Sequence, residues 1–315
     1  MTNLIGLCRT ATPFTKTGEL DENGMREYLE LFNEAKIGIH VASGGSGEGH
    51  ALTKDELRRV YRIAVETCKG KIQVCATTPE RHTARAIIEQ MKLAIEEKIE
   101  VVNLYGPSAW HSYKPTDEEF LAYHDRVLGE IKHPVALAPN PTIGYSPKAN
   151  LITKIADKYS QIVAIYLAGQ EDDSYFIQLR DGLKRKVEIY GVLMGSHQTF
   201  SLGAAGLIGG EFALNPMTCR RYIDLYEAKK YDESNQVYLD LRRFYKFTSR
   251  WRPANPRWIK MGMKVLKMPG GEGGVREPYM MPSAEEEKIF TEGLLKLRIP
   301  EIDAMAKKAG LELPA

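Results

Sequence analysis

Residues 37–65 read IGIHVASGGSGEGHALTKDELRRVYRIAV. An apolar run from Ile37 gives way to a glycine-rich turn. Thr53 and Glu56 then stand three apart as a helix-capping box, ahead of an amphipathic stretch from Leu57. This is one strand, one loop and one helix. Equivalent runs recur as LIGLCRT from Leu4, IQVCAT from Ile72, VVNLY from Val101 and VALAP from Val135. Then come IVAIYLA from Ile162, VEIYGV from Val187 and AGLIGG from Ala205. Runs that are short and hydrophobic throughout suit a parallel sheet whose outer face is covered. Thr116 with Glu119 makes a second capping box, and Ser146 followed by Pro147 predicts an N-cap with proline in the first helical turn. Eight such units completed near residue 225 predict an α/β fold, a (β/α)8 TIM barrel over 1–225. A C-terminal helical region, 226–315, is expected to pack on it, with LRRFYKF, NPRWIKMGMKVL and SAEEEKIFTEGLLKL as amphipathic pieces. A doubly wound sheet would carry a glycine-rich nucleotide turn after its first strand, and none is present.

Composition narrows the function. The chain has 315 residues, 43% hydrophobic and 27% charged, which excludes disorder, collagen-like repeats and small disulfide scaffolds. Lys and Arg number 43 against 41 acidic residues, so no general field favours nucleic acid or an anionic membrane. Arg243, Lys246, Arg250, Arg252, Arg257 and Lys260 lie among Phe244, Tyr245, Phe247, Trp251 and Trp258. They are expected to form a packed helical segment with solvated cationic edges, not a stacking surface for bases. Cys8, Cys68, Cys75 and Cys219 form no CxxC pair and predict buried, reduced thiols in a cytoplasmic protein. No run approaches eighteen apolar residues, and the N-terminus has no signal-peptide pattern.

In a barrel of this kind, chemistry sits where strands end. After the second strand, Ser43-Gly44-Gly45-Ser46-Gly47-Glu48-Gly49-His50 predicts a tight loop whose amides, with the Ser46 hydroxyl, cradle a carboxylate. The fourth strand ends in Tyr105 and runs on to Trp110, His111, Ser112 and Tyr113, aromatics suited to a small organic substrate, with His111 a candidate acid/base. Asn140 after strand five and Gln170 after strand six complete the expected substrate contacts, with Tyr166 at the end of strand six. His40, Glu48, His50, His111 and His197 fall near strand ends without the spacing of a metal motif, so no metal is expected. No cofactor is expected either, and Gly45-Ser46-Gly47 does not fit the nucleophile-elbow context.

These motifs together resemble the dihydrodipicolinate synthase / N-acetylneuraminate lyase family. Ala11-Thr12-Pro13-Phe14 with Gly18 and Asp21 is similar to its opening. Gly44-Gly45-Ser46-Gly47-Glu48 with Leu52, Thr53 and Glu56 is similar to its Gly-Thr-Thr-Gly-Glu signature. Asn215-Pro216 and Gly273-Gly274-Val275-Arg276-Glu277-Pro278 also match. The resemblance implies lyase or aldolase chemistry on a small 2-oxo acid, in which a strand-six lysine forms a Schiff base and a strand-five tyrosine relays protons. Here the corresponding residues are Tyr166, in Ala164-Ile165-Tyr166, and Ala138, in Ala138-Pro139-Asn140-Pro141. Gly45 stands for the first signature threonine, while Ser46 keeps the second hydroxyl. A phenol forms no iminium with a ketone.

Two readings follow. In one, the barrel is a lyase acting on a small 2-oxo acid or related carbonyl compound without a Schiff base. Tyr166 and His111 would then be catalytic, and Gly45, Ser46, Tyr105, Trp110, Asn140 and Gln170 would hold substrate. In the other, it is a catalytically silent paralogue that binds or regulates. The resemblance also implies a homo-oligomer, tetramer or dimer, with the Trp110–Tyr113 loop crossing to a neighbour.

Overall fold

The structure, a computed structural model, describes residues 4–78, 82–111, 113–167, 173–254 and 256–314. Eight parallel strands close into a barrel in sequential order. They are β1 (Ile5–Arg9), β2 (Gly38–Val41), β3 (Val74–Thr77), β4 (Val101–Tyr105), β5 (Val135–Ala138), β6 (Ile162–Tyr166), β7 (Glu188–Gly191) and β8 (Gly206–Gly209). Each lies within the apolar run that predicted it. The barrel closes because β1 pairs with β8 as well as β2, Leu7 standing opposite both Gly38 and Ile208.

Helices α1 (Glu22–Ala35), α2 (Lys54–Cys68), α3 (Ala84–Glu96), α4 (Asp117–Glu130), α5 (Ala149–Lys158), α6 (Asp173–Gly182), α7 (Ser196–Ser201) and α8 (Pro216–Glu227) alternate with the strands. Both capping boxes form: Thr53 accepts from the Glu56 amide and Glu56 from the Thr53 amide, and Thr116 and Glu119 exchange the same pair. The predicted start at Ser146-Pro147 is corrected. Helix α5 begins two residues later, with Lys148 as an extended N-cap. The Tyr175 hydroxyl donates to the Pro147 carbonyl at 2.9 Å, and Lys148 pairs with Asp117, which holds this segment outside the helix.

The tail adds α9 (Tyr231–Thr248), α10 (Arg257–Val265), α11 (Ala284–Lys296) and α12 (Pro300–Lys308). Its aromatics are packing groups: Phe244, Trp251 and Trp258 are buried, and Phe244 meets Trp258 edge-on. Arg243 and Arg250 sit on solvated edges paired with Asp240 and Glu286. Lys260 departs from that expectation. It is 1% exposed, because α10 turns it inward beneath the loops that follow β1 and β2. All four cysteines are buried and unbridged. No helix among the described residues is long and apolar enough to cross a membrane.

Candidate functional site

The loop after β2 is built from its own polar groups. Ser43 Oγ accepts from the Gly47 amide, the Ser43 carbonyl accepts from the Gly49 amide, and the Thr12 hydroxyl donates to the Gly47 carbonyl at 2.6 Å. Glycine is required at the fold-back. A Cβ at Gly47 would lie 2.7 Å from the Ser43 nitrogen, and one at Gly49 would strike the Ala42 carbonyl oxygen. The amides of Gly47, Glu48 and Gly49 are therefore spent inside the loop. Among the described residues the amides of Gly45 and Ser46 have no partner. Gly45 is exposed, while Ser46 is buried beside Gly210.

Beneath this loop lies a buried ion pair. Lys260 Nζ is 3.3 Å from Glu48 Oε2, donates to the Thr12 carbonyl, and sits 4.4 Å from the centre of the Phe14 ring. Burial pulls its ammonium down to about 8, against the opposing pull of Glu48. Glu48 Oε1 accepts from the Arg276 amide, and the Arg276 guanidinium forks onto Glu56 at 2.6 and 2.8 Å. That fork holds the Glu56 carboxyl down at about 2. Glu48, which lies in the signature loop, and Arg276 of the tail thus lock the first two loops to the C-terminal segment.

Inside the barrel, Tyr166 is wholly buried. Its hydroxyl lies 3.4 Å from Cys75 Sγ on β3, and its ring meets His40 and Tyr190 edge-on at 5.8 and 5.2 Å. Burial drives the phenol well above its ordinary range, and burial also pushes the Cys75 thiol up to about 12. His40 shares the Thr77 hydroxyl at 3.1 Å and is forced down to about 3 by burial and then by the charge of Arg9. It is a neutral imidazole across the physiological range. The Tyr166–Cys75 contact is a hydrogen bond between two protonated groups inside the barrel.

The remaining expected site residues are scattered. His111 is exposed, with a left-handed φ of 47°, and stands beside Trp110 at 5.2 Å between ring centres. Trp110 is 61% exposed, is bridged to Tyr113 and meets His82, so the hairpin points outward. Tyr105 is buried with Ala138, Ile143 and Tyr145. Asn140 caps the short turn Pro141–Ile143 through Thr142, which uses its Oδ1. Gln170 lies outside the described residues. Ser46, Tyr105, Tyr166 and Asn140 all fall at or just beyond strand ends, whereas Trp110 and His111 stand out on the loop after β4. Among the described residues no group of three His, Cys, Asp or Glu side chains is placed to hold a metal.

Two polar residues of the inner wall, Arg9 and Asn103, were not among the expected site residues. Each is a polar residue two places after an inward apolar one, Leu7 or Val101, so the alternation along the strand was the available signal.

Comparison with known proteins places this geometry. The chain is 28% identical to the 4-hydroxy-tetrahydrodipicolinate synthase of Methanococcus maripaludis strain C5 over 296 residues, covering 90% of this chain and 97% of that one. It is 24% identical to the protein of the same name from Protochlamydia amoebophila, covering 82% and 86%. In fold it is similar to dihydrodipicolinate synthase from Aquifex aeolicus, with a TM-score of 0.84 at 21% identity, covering 94% and 99%. It is similar also to a prophage protein of E. coli K12 in complex with pyruvate, described as belonging to the dihydrodipicolinic acid synthase family, with a TM-score of 0.81 at 17% identity, covering 94% and 98%. Residues 4–296 match the dihydrodipicolinate synthetase family, and the chain belongs to that family.

Proposed function

We propose that this chain binds a small 2-oxo acid or a related carbonyl compound at the barrel mouth and does so without forming a Schiff base. The observation that carries this reading is Tyr166, a buried phenol at the end of β6 whose hydroxyl is turned onto Cys75. The buried amine nearest in kind, Lys260, is enclosed by Thr12, Glu48 and Phe14 and presents no free face to a ketone. Ser46 and the unspent amides of Gly45 and Ser46 suit the carboxylate of such an acid.

Family membership supports turnover as a lyase, with an enolate or oxyanion stabilised by hydrogen bonds in place of an iminium. The seat of Tyr166 supports the second reading, a silent site that binds without turnover, because its phenol is buried, pushed toward the protonated form and bonded to a buried thiol. The outward Trp110–Tyr113 hairpin supports a homo-oligomer in which that hairpin meets a second copy.

The test is intact-mass analysis after incubation with pyruvate and a panel of 2-oxo acids plus borohydride, beside a lysine-bearing family control. The expected result is an adduct on the control and none on this chain. An adduct mapped to a lysine here, Lys260 included, would overturn the reading.

A further inference from the structure

Four side chains follow one another round the inner wall, near the C-terminal ends of consecutive strands. Arg9 on β1 stands in register with His40 on β2. His40 is bonded to Thr77 on β3, and Thr77 stands in register with Asn103 on β4. Leu7, Cys75 and Val101, two residues before Arg9, Thr77 and Asn103, are packed inside the barrel, so alternation turns all three polar residues inward.

The two ends of this row are unsatisfied. Arg9 Nε is buried without a hydrogen-bond partner, and among the described residues no carboxylate pairs with its guanidinium. Asn103 is 1% exposed, and its Oδ1 has no partner. A buried guanidinium N–H and a buried amide oxygen left unpaired in the same wall are costly to the fold, and such atoms in a native protein call for an explanation. Arg9 is itself only partly buried, so the row is open at its cationic end and closed at its amide end. His40, kept neutral, adds no second charge.

We propose that Arg9 and Asn103 form a subsite for a small hydroxy acid, with the guanidinium fork taking the carboxylate and the Asn103 amide taking the hydroxyl. This rests on the reading that the mouth binds a small acid, and it goes beyond that reading by adding a subsite for a hydroxyl. A guanidinium presents parallel N–H donors that match a carboxylate. A hydroxyl both donates and accepts, so it pairs with the Asn103 amide through Oδ1 or Nδ2. A keto oxygen only accepts and leaves Oδ1 unpaired. The subsite therefore favours the hydroxy acid over the oxo acid of the same carbon skeleton.

The experiment is isothermal titration of the full chain with malate, oxaloacetate and succinate, which share one skeleton and differ at one carbon, together with inorganic phosphate. Wild-type protein is expected to bind malate about tenfold more tightly than succinate or oxaloacetate. Arg9→Met should weaken every diacid by about tenfold or more, and Asn103→Leu should bring malate down to the level of succinate while leaving succinate unchanged. If Arg9→Met does not fold, Arg9→Lys keeps the charge without the fork and should still bind severalfold more weakly. Undiminished binding in the Arg9 variants, a malate preference that survives Asn103→Leu, or no diacid binding by folded wild-type protein would overturn the proposal. Phosphate binding more tightly than malate in an Arg9-dependent way would also overturn it, by assigning the subsite to a phosphoryl group. Malate and succinate carry no ketone, so a borohydride adduct would sink the Schiff-base-free reading without affecting this titration.

Discussion

At the scale of single residues, the seat of Tyr166 decides what its hydroxyl can do. The same phenol at a solvated strand end would trade protons with a ligand, but here it is bonded to a thiol that burial keeps protonated. Tyr166→Phe is expected to lower stability by about 1 kcal/mol, the worth of one buried hydrogen bond, and to leave affinity for 2-oxo acids unchanged. Urea denaturation and titration calorimetry read the two effects separately. A tenfold loss of affinity or turnover at unchanged stability would place the hydroxyl among the groups that act on ligand. Ser46 differs because it is buried at the loop that still offers two unspent amides.

At the scale of elements, α2 is tied to the tail through one carboxylate. Glu56 closes the capping box with Thr53 and also receives the Arg276 fork. Its folded-state value is about 2, below that of an unfolded glutamate. The stabilisation is therefore fully present above about pH 4.5 and is lost as pH falls through about 2. Its size is on the order of 2 kcal/mol, since the pair is only slightly exposed. Glu56→Gln is expected to lower stability near neutral pH by that amount and to flatten the acid limb of the stability curve between about pH 4.5 and 2. Chemical denaturation across that range measures it, and an acid limb parallel to wild type would remove Glu56 from the account.

At the scale of the whole molecule, the pair Lys260–Glu48 joins the tail to the top of the barrel. Both side chains are essentially unexposed, so removing one leaves the other charge uncompensated. Lys260→Met alone is expected to cost about 3–5 kcal/mol, while the double change Lys260→Met with Glu48→Gln should recover most of it. Thermal denaturation of the two single variants and the double variant forms the cycle. Additive losses would show that the two groups act independently.

How much was legible beforehand follows from which interactions are local. The eight strands, both capping boxes and the packed aromatics of the tail depend on periodicity and on contacts three or four residues apart, and the residues between Ile37 and Val65 carry that information themselves. The start of α5 escaped because a hydroxyl from Tyr175 and a carboxylate from Asp117 outweigh the local signal of Ser146-Pro147. The Gly44–Glu48 motif announced a tight loop rich in amide donors, without showing which of them are used inside it. The bonds that occupy the amides of Gly47, Glu48 and Gly49 run within that loop, whereas the placement of Glu48 against Lys260 and Arg276 needed the folded tail. The burial of Lys260, the turn of Tyr166 onto Cys75 and the row from Arg9 to Asn103 join residues from 37 to 248 positions apart or standing on separate strands. Sequence by itself determined the kind of scaffold, because hydrophobic periodicity and capping act within one unit. Tertiary structure alone decided which polar groups are sealed and which are left unpaired, because burial and pairing are set by neighbours that the chain brings together only on closing.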